Sequence, residues 1–350
     1  MCETIYIEKN KTNRFGVHFY KDSSSWKLFL DTCGVKDEKL AVIYPSEIAN
    51  EAWKAYAHTF SAEDSLDLNL KSDKNELESF IKDKYAEYTF IILAEPFIMD
   101  MLYAIMTQKY AKISFVVVPV TPDAHFSGVS VRPKFDKNGE ITCKEVFPKA
   151  VYADISVLKD TPPLSFQGGV AAAFRLAIAN KASMFEWMIS NMYELTDADQ
   201  DAIEEFLRRG YLVQKEKIEK DTAKERALPV FGAEFLNIYK NAIKDIAETD
   251  AIALSIVSQA CLSWKKELLS MDEFYEIRDM LVFFGLPITE TRFSVEDFIL
   301  YLDTNNNPWD LADEFVYIRK VGKIVVDEKP SVELLKDVFS QIYYDEEANE

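Results

Sequence analysis

Over the first 155 residues, short apolar runs alternate with stretches of helical periodicity. The apolar runs are rich in β-branched residues and have the length of strands buried on both faces. They are Leu40–Pro45, Thr89–Ala94 and Ile113–Val120. Helical patterns occupy residues 47–60, 76–88 and 96–111, the last with Pro96 in its first turn, where a missing N–H costs little. Strands that alternate with helices predict an α/β fold built on an open, mostly parallel, Rossmann-like sheet.

The pattern changes after a turn at Asp136–Gly139, a further strand at 149–156 and the proline pair at 162–163. From there the chain is helical, with long periodic runs at 198–225 and 235–268. Phe315–Val326 predicts a late β-hairpin, and a final helix follows it. We therefore expect an α/β nucleotide-binding-like domain at 1–155 and a mainly helical domain at 156–350, with ligands bound in a cleft between them.

The composition and net charge of the chain limit the kinds of molecule it is expected to bind. The chain has 59 acidic and 40 basic side chains, a net charge of -19, and 48% hydrophobic residues, which excludes a disordered chain. The negative charge argues against nucleic acid and against anionic membranes. The most apolar stretch is too short to span a bilayer, and the charged start does not have the pattern of a signal peptide. Four scattered cysteines without a C-x-x-C motif fit a reducing compartment, so we expect a cytoplasmic protein.

Glycine is scarce. The chain has 10 glycines where average usage would give roughly 25, and it contains no G-x-G sequence. Glycine lets a backbone approach a phosphate closely, so this chain has few places for a nucleotide-phosphate loop.

Several segments, in order along the chain, resemble 3-dehydroquinate synthases. FPKAVYADISVLKDTPPLS at Phe147–Ser165 is similar to a family stretch that begins QPKAV, and Arg226–Phe235 resembles the family's RALLNFGHTF segment. Three weaker matches lie at Ser114–Thr121, Asp250–Val257 and the late hairpin. The resemblance is to the sugar phosphate cyclase family. It implies a two-domain fold, a homodimer and chemistry that needs NAD, a divalent metal and cationic anion-binding residues.

The cofactor positions depart from the family pattern. The family's Gly-Gly-Gly-x-x-x-Asp turn corresponds here to Ala94, Glu95 and Pro96 followed by Asp100, so only the aspartate remains, as a vestige. The glutamate brings negative charge and the proline removes an amide donor. We expect no NAD to bind in the family's manner.

The metal positions have also changed. The family's one glutamate and two histidines correspond to Ala172, Ala233 and Glu248, which leaves one ligand. The three histidines of the chain, His18, His58 and His125, all lie in its N-terminal half. We expect no metal, although a carboxylate-only site near Glu234, Glu248 and Asp250 stays open as an alternative. A catalytic histidine and an asparagine of the family are replaced by Asn237 and Val230.

The basic positions of the family pattern are better retained in this chain than its cofactor and metal positions. By the resemblance, Arg132, Arg175 and Arg226 would bind a phosphate or carboxylate of an anionic small molecule, and Lys215 matches a further family lysine. Another basic position falls in Thr304–Asn307 and is lost. His125, beside the expected cleft, and Lys215 are the candidates for proton transfer.

Three functions remain open. The first is a degenerate family member that acts as a binding or partner protein, or as an accessory in a biosynthetic pathway. The second is a repurposed enzyme, without NAD or metal, that acts on a phosphorylated or carboxylated metabolite in the cleft. The third is an authentic divergent cyclase, which would need a hydride acceptor to begin its reaction.

Overall fold

The computed structural model describes residues 3–21, 25–35, 39–46, 64–136, 138–155, 163–304 and 314–343. The chain forms two compact units. The first unit combines Met1–Gly169 with Gln200–Ala227, and the second combines Val170–Asp199 with Leu228–Glu350. This division differs from a single boundary after residue 155, because a later helix returns to the first unit.

The described strands form one large sheet and two hairpins. In chain order they are β1 (Thr4–Asn10), β2 (Asn13–Tyr20), β3 (Lys39–Pro45), β4 (Asp64–Leu68), β5 (Tyr88–Ala94), β6 (Ser114–Pro119), β7 (Lys134–Phe135), β8 (Ile141–Cys143), β9 (Ala150–Asp154), β10 (Glu314–Lys320) and β11 (Lys323–Glu328). The seven-stranded sheet has the order β1-β2-β9-β6-β5-β3-β4. All its pairs are parallel except β1 with β2. The expected open, mostly parallel sheet is therefore confirmed.

The described helices, in chain order, are α1 (Trp26–Thr32), α2 (Lys74–Lys82), α3 (Pro96–Ile105), α4 (Pro163–Asn180), α5 (Ala182–Ser190), α6 (Met192–Thr196), α7 (Gln200–Lys220), α8 (Ala223–Ala227), α9 (Ala233–Ala242), α10 (Glu248–Lys265), α11 (Met271–Phe283), α12 (Val295–Thr304) and α13 (Val332–Ile342). The helix expected at 47–60, with His58, lies outside the described residues. No described helix is long and apolar enough to cross a membrane.

The central strands are apolar because both faces of the sheet are covered. β5 and β6 are almost wholly buried, with Ile91, Leu93, Val116 and Val118 in one cluster with the aromatic ring of Tyr152 from β9. Continuous β-branched runs are what such strands require, which is why the sequence pattern located them within about a residue.

The antiparallel edge of the first unit is covered by α7. Lys215 Nζ donates to the carbonyl of Tyr6 at 2.5 Å, and Glu219 accepts from the amide of Glu8 at 2.9 Å. Arg208 bonds to Glu3 at 3.0 Å. An edge strand exposes unpaired backbone groups, and Lys215 and Glu219 provide hydrogen-bond partners for two of them.

The second unit is organised around α10, whose residues from Ala251 to Ser263 are all buried. A helix that is buried all round belongs in the centre of a core, and α10 packs against α9, α11, α13 and β10. Gln259 donates to the carbonyl of Val316, and Ser263 accepts from the amide of Ile318, so polar side chains of α10 hold the hairpin β10–β11. The hairpin predicted at Phe315–Val326 is confirmed.

The pattern of residues 235–268 predicts one helix, but the structure has two. The break lies between α9 and α10, where Asp245 adopts a left-handed conformation with φ of 55°. An α-helix cannot continue through such a residue. The apolar periodicity on both sides of this break hid it from sequence reasoning.

Candidate functional site

The turn from β5 into α3 is the place where the family resemblance puts the NAD pyrophosphate. One residue, Glu95, connects the strand to the helix in extended conformation, and Pro96 starts the helix. The carbonyl of Glu95 accepts from the amides of Ile98 and Met99 at 3.1 and 3.4 Å. The proline thus supplies no amide, and the amides of Ile98 and Met99 are bonded within the chain. A pyrophosphate needs such amides to point at it, so the residues present do not fit this group. Asp100 lies one turn further along α3 and is exposed.

The three metal positions all lie in the second unit. Ala172 is buried in α4, Ala233 begins α9, and Glu248 begins α10. The Glu248 carboxylate pairs with Lys240 Nζ at 2.5 Å and both side chains are nearly half exposed. Two methyl groups and one surface ion pair do not fit a divalent cation.

The carboxylate-only alternative is not assembled within the described part of the chain. No group of three or more histidine, cysteine, aspartate or glutamate side chains there is placed to hold a metal. Glu234 is buried, its Oε2 has no hydrogen-bond partner among the described residues, and burial raises its pKa. Asp250 contributes to the electrostatic environment of Arg292. These carboxylates therefore have separate local roles.

Arg226 is held by an ion pair within the first unit. Its guanidinium donates to Glu145 Oε1, and its Nη2 also donates to Ser130 Oγ at 3.0 Å. The Ser130 hydroxyl donates to the same carboxylate oxygen at 3.0 Å, and both charged side chains are only 10% exposed. The charge predicted to bind a ligand is thus engaged by a carboxylate of the protein.

The contacts given for two of the other predicted cations are with different residues. The Arg132 guanidinium lies over the ring of Tyr103, 5.1 Å from its centroid, and is half-buried. Lys215 bonds to β1, as described above, and to Glu219 at 2.6 Å. Both belong to the first unit, whereas Arg175 lies on α4 within the second unit and is half-buried. Their role in ligand binding stays a prediction.

His125 is enclosed by side chains of α7. It ends a short 3-10 helix, is 1% exposed, and shares a hydrogen bond of 2.8 Å between Nδ1 and the Tyr211 hydroxyl. Gln214 donates to its carbonyl at 2.6 Å. The close packing depends on Gly210, where an added Cβ would lie 2.3 Å from the ring of Phe126. Burial lowers the pKa of His125 to about 3, so the imidazole is neutral at physiological pH.

The buried imidazole predicts a specific loss of stability in acid. The unfolded chain protonates a histidine near pH 6.5, whereas the folded chain resists protonation down to about pH 3. Stability contributed by neutral His125 is present above pH 6.5 and is lost as the pH falls below it. Between pH 7.5 and 5.0 we expect the wild type to lose about 2 kcal/mol more than His125→Gln. Urea unfolding at both pH values measures this difference.

His18, whose pKa is also lowered by burial, is present in both proteins, so its contribution to the free energy of unfolding cancels in the comparison. Equal losses in the two proteins would contradict the assignment.

Sequence reasoning missed Glu145, which neutralises Arg226 across 81 positions of the chain. It also missed Tyr211, the buried partner of His125. The local sequence around Glu145, KEVFPK, looks like an ordinary exposed turn. The antiparallel bridge between Val131 and Val146 places Ser130 next to Glu145, and no local pattern signals this bridge.

No protein-family model matches the chain, but curated relatives do. It is 28% identical over 231 residues to a 3-dehydroquinate synthase of Campylobacter concisus, covering 63% of this chain and 65% of the relative. It is 24% identical over 238 residues to a 3-dehydroquinate synthase of a Nitratiruptor species, covering 65% and 66%. The matched segments thus span just under two-thirds of the length of these relatives.

Two solved structures share the fold over nearly the whole chain. The 2-epi-5-epi-valiolone synthase ValA of Streptomyces hygroscopicus, with NAD+ and Zn2+ bound, has a TM-score of 0.71 at 13% identity, covering 96% of this chain and 98% of ValA. A 2-deoxy-scyllo-inosose synthase has a TM-score of 0.71 at 14% identity, covering 97% and 100%. Sequence and fold together support the resemblance: the chain is similar in sequence to 3-dehydroquinate synthases and shares the fold of sugar phosphate cyclases.

Proposed function

We propose that this chain no longer performs NAD- and metal-dependent cyclisation of a sugar phosphate. It acts instead as a binding or partner protein, or as an accessory, in a biosynthetic pathway. The single observation that carries the proposal is the turn between β5 and α3, where Glu95 and Pro96 replace a glycine cradle.

Electrostatics at that turn oppose a dinucleotide. A helix N-terminus attracts anions, but here Glu95 already brings a negative charge to it. Repulsion between that carboxylate and a phosphate about 4 Å away amounts to roughly 1 kcal/mol in water and about 4 kcal/mol near a protein surface. The lost amide donor at Pro96 adds to this cost. Together these effects weaken NAD binding by orders of magnitude.

The remaining chemistry is also poorly supported. Ala172 and Ala233 supply no metal ligand, and Glu248 pairs with Lys240. Asn237 and Val230 stand where the family resemblance places a catalytic histidine and an asparagine. Neither side chain can serve as a general acid or base.

The alternative function, a repurposed enzyme, has less support than the function of a binding or partner protein. It requires Arg226 to clamp an anion and His125 or Lys215 to move protons. Arg226 is instead paired with Glu145, and neutral His125 is enclosed by α7. A clamp would have to break a buried ion pair before it could bind its ligand.

The proposal predicts that the purified protein binds neither NAD+ nor Zn2+ stoichiometrically. Isothermal titration with NAD+ and metal analysis after exposure to Zn2+ test this, with ValA as the positive control, since its structure contains both groups. We expect saturable NAD+ binding and bound zinc for ValA and neither for this chain. A folded sample that binds NAD+ and Zn2+ at one equivalent each would overturn the proposal and favour an authentic cyclase.

We further propose that the protein is a cytoplasmic homodimer whose ligand is an anionic small molecule, as the family resemblance implies. Cys33, Cys143 and Cys261 are free thiols, which agrees with a reducing compartment. Burial raises the pKa of Cys33 and of Cys261 to about 12, so these thiols are not reactive nucleophiles.

A further inference from the structure

A polar groove lies in the first unit at the amino ends of its central parallel strands. Its volume is about 330 Å³, within the range of small-molecule sites. The turn between β1 and β2, the start of β6 and the segment before β9 form its walls. It is lined by Thr12, Asn13, Arg14, Ala111, Lys112, Ile113, Ser114, Glu145, Val146, Phe147, Pro148 and Lys149.

Sheet topology brings three basic residues to this edge. Arg14 is the second residue of β2, Lys149 directly precedes β9, and Lys112 lies two residues before β6. These strands are neighbours in the order β2-β9-β6 and run parallel, so their amino ends lie side by side. Adjacent strands are about 4.8 Å apart, so the backbones of these three residues reach one end of the sheet within a width of roughly 10 Å.

The register of the strands fixes this alignment. Ala150 pairs with Gly16 of β2 and with Val116 of β6. The amide of Lys149 donates to the carbonyl of Phe115 at 2.7 Å, which anchors the middle of the groove. Pairing within the sheet therefore sets the backbone positions of Arg14 and Lys149, and Lys112 lies in the turn that leads into the neighbouring strand β6.

The charge of the groove is opposite to that of the chain. Arg14, Lys112 and Lys149 are exposed, in a protein with a net charge of -19. Glu145 is the only acidic residue in the lining, and its Oε1 already accepts from Arg226 and Ser130. The groove therefore has a cationic surface, because the charge of its one carboxylate is neutralised by Arg226.

The walls are also preorganised. The Asn10 side-chain oxygen accepts from the amides of Thr12 and Asn13 and from the Thr12 hydroxyl, at 2.8 to 3.1 Å, which holds the β1–β2 turn. The Ser114 hydroxyl is held by Thr89 at 2.7 Å. Fixed walls lower the entropy lost when a ligand binds.

We propose that this groove binds a small phosphorylated anion, such as a diphosphate group, through Arg14, Lys112 and Lys149. All three residues line the groove, and guanidinium and ammonium groups are suited to phosphate oxygens. The site is separate from the β5–α3 turn, which lies at the carboxyl ends of the strands, on the opposite edge of the same sheet. The inference is independent of the proposed loss of cyclase chemistry.

Titration of the full chain with pyrophosphate, followed by calorimetry and by 31P NMR, tests the site. We expect saturable binding, and we expect Lys112→Glu and Lys149→Glu each to weaken it at least about tenfold, a change of about 1.4 kcal/mol. Lys71→Glu, an exposed lysine between β4 and α2, changes the net charge equally and should leave binding unchanged.

Inorganic phosphate and sulfate distinguish the ligand class. A diphosphate site should bind pyrophosphate more tightly than either of them, because it presents three cations along its length. The proposal is overturned if pyrophosphate does not bind, if sulfate binds equally well, or if Lys71→Glu weakens binding as much as the groove variants. Circular dichroism of each variant confirms that the comparison is between folded proteins.

Discussion

Arg226→Met is expected to lower the free energy of unfolding of the first unit by about 3 kcal/mol. The variant keeps much of the apolar volume of the arginine but leaves the Glu145 carboxylate, 10% exposed, with Ser130 as its one remaining partner among the described residues. Removing one member of a buried ion pair typically costs about 3 to 5 kcal/mol, because an uncompensated charge remains in a medium of low polarity. Urea denaturation measures the change.

A double-mutant cycle separates this effect from simple loss of packing. Glu145→Gln combined with Arg226→Met removes both charges and keeps the shape of the glutamate side chain. We expect the double variant to recover at least half of the stability lost in Arg226→Met, because no buried charge is left alone. If Arg226→Met has wild-type stability, then the arginine is not committed to Glu145 and the ligand-binding role predicted from the family resemblance regains its support.

The ion pair also gives this basic position a structural role that is independent of ligand binding. In the family resemblance Arg226 belongs to an anion-binding set, and the arginine is retained here. Its partner is now a carboxylate of the same unit, bonded also to Ser130. A charged residue can be kept because it stabilises the fold, so its presence alone is weak evidence for a ligand-binding function.

The central strands could be predicted because burial on both faces imposes a simple pattern. β3, β5 and β6 lie within about a residue of their predicted ranges, since nothing but apolar residues fits between two covered faces. β1 and β2 were missed, although Ile5 and Ile7 alternate with exposed residues. Their pairing depends on a turn held by the Asn10 side chain, a weaker signal than a continuous apolar run.

Helix ends were harder to predict than helices. The predicted helix at 76–88 ends at Lys82, and the one at 96–111 ends at Ile105, where Met106 becomes extended. Apolar residues continue beyond both ends, and after α3 two of them, Met106 and Tyr110, are buried, so periodicity alone did not mark where the helices end. The local backbone conformation determines where each helix ends, and sequence patterns predict that conformation poorly.

The candidate site was predictable only in part. The resemblance located the cofactor turn and the metal positions, and their substitutions could be read directly from the sequence. The partners that decide what the remaining polar residues do, Glu145 for Arg226 and Tyr211 for His125, come from 81 and 86 positions away. Such pairs are formed by tertiary packing, and the sequence near each residue does not indicate its partner.

Gly322→Ala is expected to destabilise the second unit by about 3 kcal/mol. Gly322 lies in the turn between β10 and β11 with φ of 83°, and its amide donates to the carbonyl of Ile178 at 2.7 Å. An added Cβ would lie 2.3 Å from the backbone nitrogen of Ala182, at the start of α5. A left-handed conformation costs an alanine roughly 1 to 2 kcal/mol, and displacement of packed backbone adds about 1 to 3 kcal/mol.

Gly139→Ala separates these two costs. Gly139 has a similar φ of 77° in the turn before β8, but no atom lies within 4 Å of the Cβ that would be added. We expect this control to lose only about 1 kcal/mol, the conformational part. Hydrogen exchange at the junction of α4 and α5 should increase in Gly322→Ala and stay unchanged in Gly139→Ala, because only the first substitution displaces Ala182. Equal destabilisation of the two variants would mean that the hairpin does not rest on that junction, and that its turn is limited by backbone conformation alone.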